Sequence, residues 1–253
     1  MRPLINPEPL PCKICAGASP PFGVVDFHKS CIEAQGKRLN LSGIPIFYRR
    51  CNVCGFLFTD AFDDWSSDAF LRHIYNAQYV DVDPDFVTLR PTANAQMVAG
   101  AFGGSRNSIS IVDYGGGNGL LASLLLEDNF QAVTYDPFYA DSSTLPPGRF
   151  DLVTCFEVME HVPFPDKALA EMTSLLSDQG AILFSTLIQP PTFAQMGLNW
   201  WYVGPRNGHV SIHSRDSLIR LFHKEGMQTA SFSDAFHIAF RQVPAFASHL
   251  VRT

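Results

Sequence analysis

Apolar and polar positions show two different periodicities along the second half of the chain. Short apolar runs predict strands, and stretches with apolar residues every three or four positions predict helices. The predicted strands are Ser110–Tyr114, Gln131–Tyr135, Leu152–Phe156 and Ala181–Leu187, followed by Thr229–Phe232 and His237–Gln242. The predicted helices are Leu120–Asp128, Asp166–Ser177 and Arg215–Glu225. Alternation of this kind predicts an α/β fold with a parallel sheet covered on both faces.

The first half of the chain lacks this alternation. Residues 1–62 are rich in proline, glycine and cysteine and contain only short strand-like pieces, so we predict a small, loop-rich module there. Residues 63–104 show helical spacing interrupted near Pro84 and Pro91, which predicts two or three helices that form a lead-in layer or lid. Residues 105–253 form the predicted α/β domain.

Charge and hydrophobicity narrow the class of protein. The 253-residue chain is 46% hydrophobic, has a formal net charge of -6 and carries only 18 lysines and arginines, which argues against a nucleic-acid partner. No stretch approaches the roughly 18 to 20 apolar residues that span a bilayer. No signal-peptide-like run follows Arg2, so we expect a cytoplasmic protein with reduced cysteines and no membrane partner.

A glycine-rich turn links the first predicted strand of the α/β domain to its first helix, in the sequence VDYGGGNGL that begins at Val112. Glycines remove Cβ atoms there, so the backbone can turn sharply and a nucleoside-containing ligand can lie against it. Asp136 ends the next predicted strand, where a carboxylate can accept hydrogen bonds from both ribose hydroxyls. The turn alone also fits a dehydrogenase, or a tight turn that binds no ligand.

Three segments together resemble the class I S-adenosylmethionine-dependent methyltransferases: VDYGGGNG, the later YDP, and FDLVTCFEVMEHV. The resemblance covers residues 105–242 and implies a Rossmann-like sheet that ends in an antiparallel strand pair. It also implies S-adenosylmethionine as the methyl donor. The implied cofactor-binding residues are Asp113, Gly115, Gly117 and Gly119 on the methionine and ribose side, Asp136 at the ribose hydroxyls, and Phe156 and Glu157 beside cofactor and substrate.

One departure from the family pattern concerns the third strand of the sheet. Members usually have another strand and an adenine-contacting acidic residue between the YDP and FDLV segments. Here only residues 138–149 intervene, and they include Pro146, Pro147 and Gly148, so we predict a shortened or absent third strand. The adenine contact stays unassigned, with Asp141 and Ser142 merely nearby in sequence.

The segment after the predicted strand Leu152–Phe156 carries candidate catalytic residues. Methylation of a hydroxyl or a carbon acid needs a base, and His161 is the leading candidate, although a histidine that only bonds nearby backbone at a helix start fits equally well. Glu157, Glu160 and His161, with His209 further on, resemble the divalent metal site of ubiquinone-pathway O-methyltransferases and small-RNA 2′-O-methyltransferases. Related methyltransferases that need no metal share the motif, with Glu160 at a helix start, so both interpretations stay open.

The cysteines predict a second kind of site. Two CxxC knuckles, Cys12 with Cys15 and Cys51 with Cys54, can complete a closed tetrahedral zinc site with a structural role. Cys31 or His28 can substitute for one ligand. An N-terminal cysteine module of this kind resembles the sugar C-methyltransferases of deoxysugar pathways and, more loosely, a zinc-bearing ribosomal RNA guanine methyltransferase.

We therefore predict an enzyme that methylates a small molecule such as a sugar, a quinone-like ring or another secondary metabolite. Aromatic residues available to stack on such an acceptor are Tyr75, Tyr79, Trp200, Trp201 and Tyr202, although core packing explains each one alone. The alternatives are an RNA methyltransferase with the zinc module as a clamp, and a non-catalytic cofactor-binding scaffold. The sequence does not indicate an oligomeric state.

Overall fold

The computed structural model describes residues 8–251 of the chain. The N-terminal segment that includes Arg2 lies outside the described residues, and so the prediction about a leader is not addressed by the fold. The strands are β1 Leu10–Pro11, β2 Ala18–Ser19, β3 Pro21–Asp26, β4 Pro45–Arg50, β5 Leu57–Phe58, β6 Ser110–Tyr114, β7 Gln131–Tyr135, β8 Phe150–Phe156, β9 Leu176–Ser185, β10 Ser211–Ile212, β11 Gln228–Ser231 and β12 Phe236–Phe240. The α-helices are α1 Ser67–His73, α2 Tyr79–Val82, α3 Leu89–Phe102, α4 Leu120–Glu127, α5 Pro165–Leu175, α6 Phe193–Met196 and α7 Arg215–His223.

The described chain divides into two compact units that interleave along the sequence. The first unit comprises the chain up to Asp83 together with Met159–Ala168 and Thr186–Leu221. The second unit comprises Pro84–Val158, Leu169–Ser185 and the chain from Phe222 onward. The predicted three-part division, with boundaries after residues 62 and 104, stays a prediction.

A six-stranded mixed sheet forms the centre of the second unit, in the order β11-β12-β9-β8-β6-β7. Strands β7, β6, β8 and β9 are parallel neighbours, whereas β12 pairs antiparallel with β9 and with β11. The predicted Rossmann-like sheet with an antiparallel pair at its end is confirmed. The central strands β6 and β8 are buried along most of their length, as expected for a parallel sheet that is covered on both faces.

The core of the second unit lies between this sheet and helices α3 and α4. Val98 and Phe102 on α3, with Leu121 and Leu125 on α4, pack in one cluster with Ile111 of β6. The break predicted near Pro91 is wrong, because Pro91 lies in the first turn of α3, where its missing N–H has no helical partner to lose.

The prediction of a short or absent third strand is confirmed within the described residues. Between β7 and β8 the chain forms only a single 3₁₀ turn at Ala140–Ser142. Strand β7 is consequently the edge of the sheet.

The first unit contains a four-stranded antiparallel sheet in the order β10-β5-β4-β3 and a small β1-β2 ribbon. Three aromatic residues of this region, Tyr48, Phe56 and Phe58, are at most 1% exposed. Strand β10 joins the sheet although it follows β5 by more than a hundred residues, which ties the segment after residue 186 to the cysteine-bearing part of the chain. Within the described residues, none of the helices has the length and apolarity that a bilayer crossing requires.

Candidate functional site

The glycine turn follows β6. It lies on the side of the sheet formed by the carboxyl ends of the parallel strands, where ligands of α/β proteins bind. The amides of Gly115 and Gly116 donate to the carbonyl of Tyr135 at 2.7 and 3.2 Å, which ties the turn to the end of β7. Gly115 has a φ of 74°, and a Cβ at this position would collide with the side chain of Val158. Only glycine fits this position.

Asp113 lies beneath the turn. Its side chain is 3% exposed, and Oδ1 accepts a hydrogen bond of 2.8 Å from the hydroxyl of Thr154 on β8. Burial, with a smaller effect from the nearby Asp136 carboxylate, raises the pKa of Asp113 to about 7, although the hydrogen bond from Thr154 lowers it. A Cβ on Gly116 would meet the Asp113 carboxylate, so Asp113 supports the turn from below.

Asp136 follows β7 and faces the same turn. Its Oδ2 accepts from the amide of Gly117 at 2.9 Å, and its Oδ1 accepts from the amide of Phe138 at 2.8 Å. Burial raises the pKa of Asp136, while these two amides oppose the shift. Each carboxylate oxygen has a second lone pair, so the group can still accept from two hydroxyls. Gly119, with a φ of 78°, ends the turn and caps α4.

Phe156 and Glu157 lie at the carboxyl end of β8. The ring of Phe156 packs against that of Phe236 with centroids 6.1 Å apart. Glu157 has a φ of 55°, a left-handed conformation that is uncommon for a residue other than glycine. The Ser185 hydroxyl donates to Glu157 Oε1 at 2.8 Å and accepts from the Glu157 amide at 2.9 Å, and Arg90 donates to Oε2 at 3.2 Å.

Four residues that contact the glycine turn, Asp113 or Glu157 were not singled out from the sequence: Arg90, Thr154, Val158 and Ser185. Ser185 ends the strand β9 beside β8, and parallel pairing places it level with Phe156, but the predicted strand extended to Leu187 and gave no signal for Ser185. Arg90 had no signal either, because its approach to Glu157 depends on how α3 packs. Tyr139 was missed as well; its ring lies 3.9 Å from the position of a Cβ on Gly117.

A second group of candidate residues lies in the first unit. One ligand atom from each of Glu160, His161 and His209 lies within 4.8 Å of the others, and Glu160 and His209 are buried. The rings of His161 and His209 have centroids 4.8 Å apart and meet edge to face. The structure therefore brings Glu160, His161 and His209 together, whereas their role stays a prediction.

Tyr202 fixes two members of this group. Its hydroxyl donates to Glu160 Oε1 at 2.6 Å, and its backbone carbonyl lies 2.8 Å from Nδ1 of His209. A carbonyl only accepts hydrogen bonds, so this contact places the proton on Nδ1 and leaves Nε2 of the neutral imidazole as the acceptor or ligand atom. The sequence singled out Tyr202 only as a stacking residue.

Glu157, the fourth residue of the predicted metal site, is not part of this group. It belongs to the second unit, where Ser185 and Arg90 hold its carboxylate. The prediction that Glu157 shares a metal with Glu160, His161 and His209 stays a prediction.

The four predicted zinc ligands converge in the first unit. Their sulfur atoms all lie within 4.8 Å of one another, with Cys12 and Cys54 separated by 3.7 Å and Cys15 and Cys51 by 3.5 Å. A tetrahedral zinc with bonds of about 2.3 Å places its sulfurs about 3.8 Å apart. The amides of Ile14 and Val53 point at the sulfurs of Cys12 and Cys51, at 3.4 and 3.3 Å. The donor set and its spacing fit a structural zinc ion, whereas Cys31 and His28 lie outside this cluster.

Comparison with known proteins identifies the family. Residues 86–231, more than half of the chain, match the family described as a methyltransferase domain. The chain belongs to this family, and the resemblance to class I S-adenosylmethionine-dependent methyltransferases is confirmed, as is the prediction of an enzyme class. The dehydrogenase interpretation of the glycine turn is thereby excluded.

Individual relatives match over shorter stretches. The chain is 35% identical over 92 residues to the ubiquinone biosynthesis O-methyltransferase of Thiobacillus denitrificans, covering 36% of this chain and 40% of the relative. It is 32% identical over 117 residues to the enzyme of the same name from Aromatoleum aromaticum, covering 44% of this chain and 50% of the relative. The chain thus matches half or less of the length of these relatives.

A solved structure supports the fold. An O-methyltransferase family protein from Burkholderia thailandensis superposes with a TM-score of 0.52 at 14% identity, covering 72% of this chain and 64% of that protein. At this identity the likeness extends to the fold alone.

Proposed function

We propose that this protein transfers the methyl group of S-adenosylmethionine to a hydroxyl group of a small molecule. The observation that carries the proposal is the cradle at the carboxyl edge of the second unit's sheet. There the amides of Gly117 and Phe138 orient both oxygens of Asp136 beside a turn that only glycine can form. A buried carboxylate in this setting suits a ribose, and the curated O-methyltransferase relatives favour oxygen as the methylated atom.

The acceptor we propose is a quinone-like ring, a sugar or another secondary metabolite that presents a hydroxyl. S-adenosylmethionine supplies an electrophilic methyl carbon on a sulfonium, so no covalent intermediate with the protein is needed. The acceptor oxygen forms the new C–O bond as the C–S bond breaks, S-adenosylhomocysteine leaves, and the hydroxyl proton goes to a base. The chain's contribution is to orient the two reactants and to hold that proton.

His161 is the base we propose. It is half-buried, its ring lies beside those of His209 and Tyr75, and only three residues separate it in sequence from Glu157 at the end of β8. Near neutral pH an imidazole can accept a proton and return it to solvent after each turnover.

A divalent ion at Glu160, His161 and His209 is a second possibility for the same group. The convergence of three ligand atoms within 4.8 Å favours it, and His209 presents Nε2 as the ligand atom. Such an ion lowers the pKa of a bound hydroxyl, and His161 would then act as a ligand. Rate loss on chelation, restored by magnesium or manganese, supports the ion; full activity after exhaustive chelation excludes it.

Zinc at the four cysteines is the third part of the proposal. The closed sulfur set leaves no position for substrate, so its role is structural. Elemental analysis of the purified protein is expected to give one zinc per chain, and a Cys12→Ser, Cys51→Ser double variant is expected to lose it. A metal-free protein with native stability would contradict this assignment.

Methyl transfer itself is tested with isotopically labelled S-adenosylmethionine and a panel of catechols, quinols and sugars. We expect label on an acceptor hydroxyl, and we expect His161→Gln to slow transfer by about 100-fold or more. His223→Gln is the matched control, since His223 is exposed at the end of α7. Tight donor binding with no transfer to any acceptor would instead indicate a non-catalytic cofactor-binding protein.

A further inference from the structure

The segment between the two cysteine knuckles does more than join them. Tyr48 on β4 is fully buried, and its hydroxyl donates to the backbone carbonyl of His209 at 2.7 Å. The thiol of Cys31 lies 3.6 Å from Nδ1 of the same histidine. Two residues of the cysteine module therefore contact His209 directly, one at its backbone and one at its ring.

Lys29 and Cys31 also hold the chain that leads to His209. The ammonium group of Lys29 donates to the carbonyls of Trp200 and Val203, at 3.0 and 2.8 Å. Burial lowers the pKa of Lys29, and the Glu33 carboxylate opposes this shift. The Cys31 amide donates to the side chain of Asn207 at 2.8 Å. Because burying an ammonium group is costly without hydrogen-bond partners, Lys29 favours the backbone conformation of residues 200–207 that supplies these two carbonyls.

The strand after the second knuckle secures the other side of His209. Strand β5 pairs with β10, so that Phe58 lies opposite Ser211. The amide of Thr59 donates to the carbonyl of Val210 at 3.1 Å. The amides of Val210 and Ser211 in turn donate to the carbonyl of Glu160, at 2.9 and 3.0 Å. Hydrogen bonds thus link the strand that follows the second knuckle to Val210, the neighbour of His209 in sequence, and link Val210 to Glu160.

We infer that the four-cysteine module is the frame that holds His209 against Glu160 and His161, with Tyr48 and Lys29 as positioning residues. This inference rests on the proposed zinc occupancy and on the proposed role of the Glu160, His161 and His209 group. A metal that closes both knuckles restricts the ends of the segment between Cys15 and Cys51, and this segment carries both positioning residues. Zinc removal is therefore expected to loosen His209 while the cofactor cradle of the second unit keeps its structure.

Hydrogen–deuterium exchange of the full chain, read by mass spectrometry peptide by peptide, tests the frame. After zinc removal, exchange in residues 200–212 is expected to accelerate at least about tenfold, while peptides covering β6 and β8 keep their protection. Unchanged protection of residues 200–212 would overturn the inference. Equal loss of protection in β6 and β8 would also overturn it, since zinc would then serve general stability.

A Tyr48→Phe variant tests the frame without touching a cysteine. We expect faster exchange around His209, a lower kcat for methyl transfer and an unchanged affinity for S-adenosylhomocysteine. Tyr114→Phe is the matched control, because it deletes the hydroxyl of another buried tyrosine, which donates to Glu171 at 2.7 Å in the second unit. Its effect on residues 200–212 is expected to be nil.

The exchange measurements need neither an acceptor nor turnover, so they separate this inference from the proposed function. If the purified protein contains no zinc, the zinc proposal is refuted, and the Tyr48→Phe variant alone then tests whether the module positions His209. Unchanged exchange around His209 in Tyr48→Phe overturns the inference even when methyl transfer is demonstrated.

Discussion

Glu157 is the residue whose backbone departs most from ordinary geometry in the candidate cofactor site. A left-handed conformation costs a residue with a Cβ about 1–2 kcal/mol, so the surroundings must hold it there. Ser185 does so with two hydrogen bonds, one to the backbone and one to the carboxylate. These two hydrogen bonds hold the Glu157 side chain beside the end of β9.

The first prediction concerns the pH dependence of stability through Asp113. Its pKa of about 7 in the folded chain lies above the ordinary value of 3.8, so between these pH values the folded state binds more protons than the unfolded state. The contribution of Asp113 to the free energy of unfolding is fully present below about pH 4 and is lost as the pH rises toward 7. An Asp113→Asn variant does not titrate at this position, and its stability relative to the wild type should therefore improve with rising pH.

Urea unfolding of both proteins at pH 5 and pH 8 measures this difference. We expect the free energy of unfolding of Asp113→Asn, relative to the wild type, to be higher at pH 8 than at pH 5. A difference that is independent of pH, or of opposite sign, would show that Asp113 is ionised without cost in the folded chain.

The positions of residues in recognisable motifs could be predicted, but the residues outside these motifs that contact Glu157 and Glu160 could not. Asp113 and Asp136 stand at strand ends in a recognisable order, and the structure places both at the glycine turn. Ser185 and Arg90 carry no motif, because their contacts with Glu157 arise only when β9 and α3 are in place. The same holds for Tyr202, whose hydroxyl reaches Glu160 through a loop of irregular structure.

Elements with strong periodicity were predicted well. Strands β6 and β7 have the predicted bounds, and the antiparallel pair β11 and β12 lies within a residue or two of its predicted ends. Short strands such as β1, β2 and β10 could not be predicted, since two-residue strands are stabilised by pairing with distant chain segments. The missing third strand was predictable because prolines and a short connection leave no room for it.

The second prediction compares two glycines in different elements. Gly115→Ala should lower the free energy of unfolding by about 2–4 kcal/mol and abolish cofactor binding, because a methyl group there meets Val158 at a φ of 74°. Gly100→Ala, at an exposed position inside α3 with no heavy atom within 4 Å, should raise it by about 0.5–1 kcal/mol. Thermal and urea unfolding of both variants measures the contrast, and equal effects at the two glycines would refute it.

At the scale of the whole chain, the described residues form two compact units whose segments interleave along the sequence. Residues 159–168 and 186–221 return to the unit that carries the cysteines. The local sequence does not indicate to which unit such a segment belongs, because its apolar residues resemble those of any buried element. The two proposed sites are divided in the same way, with the Asp136 cradle in one unit and the Glu160, His161 and His209 group in the other.

The central claim is that the Asp136 cradle binds S-adenosylmethionine, and calorimetric titration of the zinc-loaded protein with S-adenosylhomocysteine tests it most directly. We expect micromolar affinity, a loss of about 100-fold or more in Asp136→Ala, since two charge-assisted hydrogen bonds disappear, and no binding of NAD. Asp178→Ala, which removes an exposed carboxylate near the start of β9, should bind like the wild type. Absent binding, a preference for NAD, or full affinity in Asp136→Ala would contradict the account.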